Sequence, residues 1–139
     1  MKKTIKTTLL IGLLIGTSLI AQVQTAKFGS KIFVKCDQNK DGQLNKSEYL
    51  EMSSKRFNRM DLNKNNEVTY LELQNTPFAK MMPKFALSWF AKNDLDKNKI
   101  VTYKEIEKVS NKKFYMMDNN KDKQLSSNEW LTNNPSFNR

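Results

Sequence analysis

Four stretches of twelve residues share one pattern, and this repeat constrains the fold of the chain more than any other feature. Each stretch begins with Asp, carries Asp or Asn at its third and fifth positions and Lys at its fourth, and ends with Glu. They are DQNKDGQLNKSE at 37–48, DLNKNNEVTYLE at 61–72, DLDKNKIVTYKE at 94–105 and DNNKDKQLSSNE at 118–129. We name them loops 1 to 4 and number the positions within each loop from 1 to 12.

The spacing of oxygen-bearing side chains in these loops matches the requirements of a calcium ion. Ca²⁺ takes about 6–8 oxygen ligands at about 2.3–2.6 Å. A twelve-residue loop surrounds the ion when short side chains at positions 1, 3 and 5 point inward and the longer Glu at position 12 binds with both oxygens. The backbone carbonyl at position 7 and a water held by position 9 add further oxygens. The loops therefore predict four Ca²⁺ sites.

Positions 1, 3, 5, 7, 9 and 12 contain the predicted metal-binding residues of each loop. In loops 1 and 2 these residues are Asp37, Asn39, Asp41, Gln43, Asn45, Glu48, Asp61, Asn63, Asn65, Glu67, Thr69 and Glu72. In loops 3 and 4 they are Asp94, Asp96, Asn98, Ile100, Thr102, Glu105, Asp118, Asn120, Asp122, Gln124, Ser126 and Glu129. All seven Asp residues of the chain lie at ligand positions, and helix capping alone does not explain the Glu at position 12.

Apolar residues flank the loops in the same register. Each loop is preceded by a Phe four residues upstream, is followed directly by an apolar residue, and has an aliphatic residue at position 8 that suits a short strand. The upstream residues are Phe33, Phe57, Phe90 and Phe114. The residues that directly follow the loops are Tyr49, Leu73, Ile106 and Trp130, and those at position 8 are Leu44, Val68, Val101 and Leu125. With these loops and flanks the sequence resembles the EF-hand family over essentially all of 27–139, and its spacing is closer to small exported bacterial EF-hand proteins than to the calmodulin branch. The resemblance implies an all-α fold of four helix–loop–helix motifs with short β pairings.

The distances between loops predict how they pair. Loop starts lie 24, 33 and 24 residues apart. Residues 49–60 leave room for a single helix of about 18 Å, which keeps loops 1 and 2 apart and serves both of them. We therefore expect loop 2 to pair with loop 3 through Val68 and Val101, with helices 49–60 and 106–117 side by side and loop 1 near loop 4. The alternative is two tandem pairs, 1–2 and 3–4, with a break at residues 53–54.

Departures from the ideal loop predict different affinities. Position 6 calls for Gly because the chain turns there in a left-handed conformation. Loop 1 has Gly42 and loop 2 has Asn66, which tolerates this conformation, whereas Lys99 and Lys123 in loops 3 and 4 add an expected cost of about 1–2 kcal/mol each. Loop 2 brings two carboxylates and the others three. We expect loop 1 to bind most tightly and loop 2 or loop 4 most weakly, with dissociation constants of about 10⁻⁵–10⁻³ M.

The N-terminal residues have the pattern of a secretory signal peptide. Three lysines precede an apolar stretch that is shorter than the about 20 residues of a comfortable membrane span. We predict a signal peptide over 1–26, cleaved after Ala21 or Ala26, and a calcium-binding domain over 27–139 in a periplasmic or secreted protein. The alternative is an uncleaved membrane anchor formed by residues 7–26.

The composition excludes several kinds of chemistry. The chain has no His and a single Cys, Cys36, which excludes His-ligated zinc, Ser/His and Cys/His catalysis, and an intramolecular disulfide. We therefore predict that the protein is not an enzyme. A bound metal is a usual substitute for disulfides in a small exported domain.

Charge and methionine content bear on the partners. Residues 27–139 hold 21 basic and 14 acidic residues, a formal charge of +7, which favours an anionic partner. No nucleic-acid-reading motif accompanies this charge, so nucleic acid is disfavoured. Met81 and Met82, between two prolines, are the best candidates for an exposed contact. Two functions stay open: calcium binding in a structural or buffering role, and a calcium-dependent sensor or adaptor that binds a protein partner or an anionic cell-surface component.

Overall fold

The computed structural model describes residues 29–134, and the predicted signal segment lies outside them. This part of the chain forms seven helices and four three-residue strands. The helices are α1 at 29–36, α2 at Lys46–Asn58, α3 at Tyr70–Asn75, α4 at Pro77–Met81, α5 at Pro83–Asn93, α6 at Tyr103–Met117 and α7 at Ser127–Thr132. The strands are β1 at Gln43–Asn45, β2 at Glu67–Thr69, β3 at Ile100–Thr102 and β4 at Gln124–Ser126. None of the helices within 29–134 has both the length and the apolar character needed to cross a bilayer.

Each strand passes directly into a helix because the residue at position 9 caps that helix. The Thr102 side chain accepts a hydrogen bond from the backbone N–H of Glu105, and the Glu105 carboxylate accepts one from the N–H of Thr102. This reciprocal capping box pairs N–H groups that the first turn of a helix leaves without partners. Asn45, Thr69 and Ser126 form the same box in the other three loops. The loop sequence thus determines where each following helix begins.

The connection between loops 2 and 3 contains one helix more than expected. The 33 residues between the starts of loops 2 and 3 have room for two helices with a turn, but a third helix, α4, lies between α3 and α5. Pro77 and Pro83 occupy the first positions of α4 and α5, where a missing N–H removes no helical hydrogen bond. Buried Thr76 links α3 to α4, because its hydroxyl donates to the Leu73 carbonyl at 2.7 Å and accepts from the Ala79 N–H at 3.1 Å.

The strands pair β1 with β4 and β2 with β3, both antiparallel. Leu44 lies opposite Leu125, and Val68 lies opposite Val101. The predicted pairing of loop 2 with loop 3 and loop 1 with loop 4 is therefore confirmed. The tandem alternative is wrong, since α2 runs without a break through residues 53–54.

Helices α2 and α6 lie side by side, as expected for residues 49–60 and 106–117, and they run in opposite directions. At one end the Lys46 ammonium donates to the Tyr115 hydroxyl at 3.3 Å. At the other end the rings of Phe57 and Tyr103 meet edge to face with centroids 5.8 Å apart. The two helices therefore contact each other near both ends, and together they connect one strand pair to the other.

The buried apolar residues form two separate clusters, one beneath each strand pair. The loop 2–3 core consists of Phe57, Met60, Val68, Leu73, Ala79, Ala86, Phe90, Val101 and Ile106. The loop 1–4 core consists of Phe33, Leu44, Tyr49, Phe114, Met117, Leu125 and Trp130. The twelve apolar residues predicted at position 8 and around the loops are all at most 8 % exposed. Helix α2 contributes Tyr49 to one core and Phe57 to the other, so it belongs to both.

Candidate metal centres

All four loops turn through two left-handed residues. At position 6 the φ angle is 81° at Gly42, 64° at Asn66, 70° at Lys99 and 67° at Lys123, as predicted. At position 4 four lysines adopt a similar conformation, which sequence analysis did not foresee: Lys40 at 59°, Lys64 at 60°, Lys97 at 60° and Lys121 at 61°. Lysine has no intrinsic preference for this region, so no local signal marked position 4. Such backbone persists only where the surroundings enforce it.

The Asp at position 1 organises the first half of each loop. In loop 1 the carboxylate of Asp37 accepts from the N–H of Asp41 at 3.2 Å and from the N–H of Gly42 at 2.9 Å. In loop 2 Asp61 accepts from the residues at the same positions at 3.1 and 2.9 Å. These bonds draw the turn at position 6 around the first carboxylate.

Loops 3 and 4 leave one oxygen of this carboxylate without a donor. Asp94 Oδ2 accepts from the N–H of Lys99 at 3.1 Å, and Asp118 Oδ2 accepts from the N–H of Lys123 at 3.0 Å. Within residues 29–134, the buried Oδ1 atoms of Asp94 and Asp118 have no hydrogen-bond partner. A shielded carboxylate oxygen without a donor carries an unmet desolvation cost, which a bound cation would relieve.

Positions 3 and 5 extend the same hydrogen-bond pattern through every loop. The side-chain oxygen at position 3 accepts from the N–H at position 5 at 2.9–3.1 Å, and that at position 5 accepts from the N–H at position 7 at 2.8–2.9 Å. The accepting residues are Asn39, Asn63, Asp96 and Asn120 at position 3 and Asp41, Asn65, Asn98 and Asp122 at position 5. The oxygens predicted as ligands therefore also shape the loop backbone.

The Glu at position 12 reaches back from the helix to the start of its loop. Glu48 Oε1 accepts from the backbone N–H groups of Gln38 and Asn39 at 2.9 and 3.2 Å, while its Oε2 accepts from the N–H of Asn45 at 3.0 Å. Glu129 repeats all three contacts in loop 4, at 3.0 and 3.3 Å for Oε1 and 3.0 Å for Oε2. One carboxylate thus joins the first and last parts of each of these loops.

Positions 7 and 9 lie in the strands. The residues at position 7, whose carbonyls are the predicted ligands, are the first residues of their strands: Gln43, Glu67, Ile100 and Gln124. The residues at position 9 are the last, and they act as helix caps in addition to their predicted role of holding a water. The sequence signal for this second role was present, since Thr or Ser followed three residues later by Glu is the capping-box pattern.

Three carboxylates converge in loop 3. Oxygens of Asp94, Asp96 and Glu105 all lie within 4.8 Å of one another, and this is the one such group of potential metal ligands within residues 29–134. Loops 1 and 4 also hold three carboxylates, but their third lies at position 5 instead of position 3. The expected ranking of calcium affinities stays a prediction. The converging carboxylates make loop 3 a further strong candidate for a tight calcium site.

Hydrogen bonding favours the ionised form of three of the position 12 carboxyls, those of Glu72, Glu105 and Glu129. Burial raises the pKa of the Glu129 carboxyl, but hydrogen bonds from the backbone and hydroxyl of Ser126 and from N–H groups at the start of the loop outweigh this effect, and the pKa falls below its ordinary value. Opposing effects of the same kinds give Glu72 and Glu105 a lowered pKa as well. These side chains are therefore negatively charged at neutral pH, as a cation ligand must be.

The donor set fits calcium. It consists of oxygen atoms alone, which suits a hard cation and offers nothing to metals that prefer nitrogen or sulfur. The partnerless oxygens of Asp94 and Asp118 and the convergent carboxylates of loop 3 meet the same requirement. The site geometry thus defines a calcium-binding helix–loop–helix protein.

Comparison with known families agrees with this class. The sequence model of the family described as EF hand matches residues 31–53 and 55–78, two adjacent segments that contain loops 1 and 2. No curated protein matches the chain. These two adjacent matches support an EF-hand calcium-binding family for the segment that holds loops 1 and 2. Ca²⁺ is the ion that this family binds, and its domains are typically non-enzymatic.

Proposed function

We propose that all four loops bind calcium and that this exported, non-catalytic protein uses the metal in a structural or buffering role. The observation that carries the proposal is the repetition of one geometry. Loops 3 and 4, which lie outside the matched segments, have the same left-handed residues at positions 4 and 6 as loops 1 and 2. They also have the same hydrogen bonds from positions 5 and 7 and the same capping box.

Each ion would be held by the side chains at positions 1, 3, 5 and 12 and by the carbonyl at position 7. The bound ion supplies a double positive charge that offsets the repulsion among the carboxylates of its loop. The same residues also determine the shape of the loop around the ion, because their oxygens accept backbone hydrogen bonds that fix the turn. Position 9 caps the following helix and thereby places the Glu at position 12.

We also propose that α2 and α6 are shared helices. Helix α2 begins directly after β1 of loop 1 and ends three residues before Asp61, the first residue of loop 2. Helix α6 stands in the same relation to loops 3 and 4, since it ends at the residue before Asp118. Each helix contributes to both cores. This arrangement supports a single unit in which the two strand pairs are mechanically joined.

A permanent structural ion suits an exported protein of this size. The N-terminal sequence pattern supports export, and calcium is abundant in many compartments outside the cytoplasm. The single Cys leaves no intramolecular disulfide to stabilise the chain. A metal that binds only the folded state stabilises it in proportion to the logarithm of its free concentration.

A sensor or adaptor role is the second candidate, and one observation favours it. Met81 and Met82 are 82 % and 42 % exposed, whereas Met60 and Met117 are buried in the cores. Flexible, exposed Met side chains are common at adaptable binding surfaces. A sensor would expose more apolar surface on binding calcium, so a rise in the fluorescence of an apolar dye during titration would favour this role over the structural one.

The decisive experiment is a calorimetric calcium titration of the chelator-treated protein, with helix content followed by circular dichroism. We expect about four bound ions and a rise in helicity. Glu72→Gln is expected to remove about one ion, because it neutralises the position 12 ligand of loop 2. Glu67→Gln is the matched control: it removes the same charge from the same loop, but Glu67 is exposed and contributes only its backbone carbonyl.

Two results would contradict the proposal. One is the absence of binding at millimolar calcium. The other is an equal loss of calcium in Glu67→Gln and Glu72→Gln, which would reduce the role of loop 2 to general electrostatic attraction. Mass spectrometry of the exported form tests the localisation separately, since cleavage after Ala21 or Ala26 gives two distinct masses and an uncleaved chain gives a third.

A further inference from the structure

A basic and apolar surface projects from the connection between the two loops of the loop 2–3 pair. We name it the α4–α5 tip; it consists of Lys80, Met81, Met82, Lys84 and Phe85, all exposed. Met81 is 82 % exposed and Phe85 is 49 % exposed. Single exposed apolar residues are common on proteins, but three so close in the chain form a patch that calls for an explanation.

The fold holds this patch outward. Inward-facing Ala79 and Ala86 are buried in the loop 2–3 core on either side of it, and Thr76 fixes the start of α4 with two hydrogen bonds. Pro83 begins α5 immediately after Met82, so the chain changes direction at the tip. The exposure of the methionines is therefore imposed by the packing of the helices on both sides.

The charges on the stretch of chain that contains the tip have one sign. No Asp or Glu occurs between Glu72 and Asp94, whereas Lys80, Lys84 and Lys92 are all exposed in that interval. The acids of the chain are concentrated in the metal loops instead. A surface with lysines beside protruding apolar side chains complements a partner that is anionic at its surface and apolar below it, and a bilayer of anionic phospholipid has this layering.

The size of the neighbouring cavity disfavours a small molecule. The cavity beside the tip, lined by residues of α3, α4 and α5 that include Tyr70, Leu73 and Leu87, measures about 170 Å³. Small-molecule sites usually span about 300–1,000 Å³. No helix within 29–134 is long and apolar enough to cross a bilayer, so contact with lipid through this part of the chain would be interfacial.

We propose that the α4–α5 tip docks on an anionic phospholipid bilayer. Met81, Met82 and Phe85 enter the boundary between headgroups and acyl chains, while Lys80 and Lys84 contact the lipid phosphates. No residue of the tip is a calcium ligand, so this inference rests on the proposed function only for the stability of the fold. Calcium titration and lipid binding can therefore fail independently.

The test is sedimentation of the exported form of the protein with vesicles of phosphatidylglycerol and phosphatidylcholine, and with vesicles of phosphatidylcholine alone. Measurements are made in chelator and in calcium, with circular dichroism to confirm that the fold is retained in each. We expect binding to the anionic vesicles only. Lys80→Gln with Lys84→Gln is expected to weaken it about 25-fold, about fivefold for each lysine.

The matched control is Lys31→Gln with Lys35→Gln, which removes two exposed lysines, also four residues apart, from α1 beside the other core. This variant is expected to bind within about threefold of the unmodified protein, because charges farther than about 8 Å from the lipid are largely screened in physiological salt. An equal loss in both double variants would overturn the proposal in favour of non-specific attraction. Binding to poly-glutamate without binding to vesicles would overturn it in favour of an acidic polymer or protein.

A second measurement reports on the tip even if another part of the chain contacts the vesicles. Met81→Trp places a fluorophore at the most exposed tip position, and its emission is expected to shift to shorter wavelength on anionic vesicles. Met116→Trp, on exposed Met116 of α6, is the control and is expected to keep its emission. Emission of Met81→Trp that stays unchanged on vesicles that sediment the protein would refute docking through the tip.

Discussion

Replacing Lys99 by Gly is expected to stabilise the protein, even though glycine usually weakens a fold. Lys99 occupies position 6 of loop 3 with φ at 70°, where its Cβ is crowded by the backbone. Its side chain is exposed, so truncation removes little packing. Glycine adopts this conformation without the steric cost.

The magnitude follows from two opposing contributions. Removing the Cβ recovers about 1–2 kcal/mol of conformational strain. Glycine also makes the unfolded chain more flexible, which returns about 0.5–1 kcal/mol. The net gain is about 0.5–1 kcal/mol at Lys99, and Lys123 at φ 67° offers the same gain in loop 4. The two loops belong to different strand pairs, so the double variant should gain about 1–2 kcal/mol.

Urea denaturation at a fixed calcium concentration, followed by circular dichroism, measures the effect. Lys99→Ala is the control, because it removes the same charge but keeps the Cβ, and it should change the free energy of unfolding little. The reverse test is Gly42→Ala at φ 81°: a Cβ built there has no atom within 4 Å, so its expected cost of about 1 kcal/mol is conformational. Equal stability of Lys99→Gly and Lys99→Ala would refute the strain argument, as would a neutral Gly42→Ala.

Two further substitutions test the helices that connect the cores. Burial, together with repulsion from Arg56 and Lys92, lowers the pKa of Lys113, so its charge is disfavoured in the folded state at neutral pH. This penalty begins to fall as pH rises through the folded pKa, and it is gone once pH exceeds the ordinary pKa that lysine has in the unfolded chain. Lys113→Met should therefore raise the urea midpoint at pH 7 by more than at high pH, whereas Met at exposed Lys112 should do neither. Phe114→Ala removes a fully buried ring from the loop 1–4 core and should lower the free energy of unfolding by about 3–5 kcal/mol in the same assay. A decrease of less than about 1 kcal/mol would show that this core does not stabilise the fold.

Much of the fold follows from local pattern and helix length. Residues 49–60 form an interval of twelve residues, which keeps loops 1 and 2 apart at the two ends of one helix. Loop 2 was therefore expected to pair with loop 3 across the longer interval, through Val68 and Val101, and the structure shows this pairing. Phe57 and Phe114 were expected in the cores because they precede loops in register with the other two Phe residues, and both are fully buried. These predictions succeed because each depends on a repeat that is present four times.

The features that were missed depend on three-dimensional arrangement or on a weak local signal. Helix α4 is five residues long and is held by buried Thr76, whose importance is visible only once its two hydrogen bonds are seen. The left-handed lysines at position 4 lie where residue preference predicts nothing. Loops 1, 3 and 4 have equal numbers of carboxylates in the sequence. Within residues 29–134, however, the carboxylate oxygens converge in loop 3, because Asp96 at position 3 lies close to Asp94 and Glu105.

The backbone of the loops bears on whether calcium is a signal or a permanent component. Within residues 29–134, seven residues other than glycine have positive φ, and all of them lie at positions 4 and 6 of the loops. Asn66 tolerates this conformation, so the strain lies in the six lysines, and at about 1–2 kcal/mol each it amounts to about 6–12 kcal/mol, which is comparable to the whole stability of a typical domain, about 5–15 kcal/mol. Calcium at about 100 times its dissociation constant contributes about 2.7 kcal/mol per site, or about 11 kcal/mol for four sites. Under the proposed binding of four ions, the metal would offset a cost of the same size that the loops impose, and this balance favours an ion that stays bound for the lifetime of the fold.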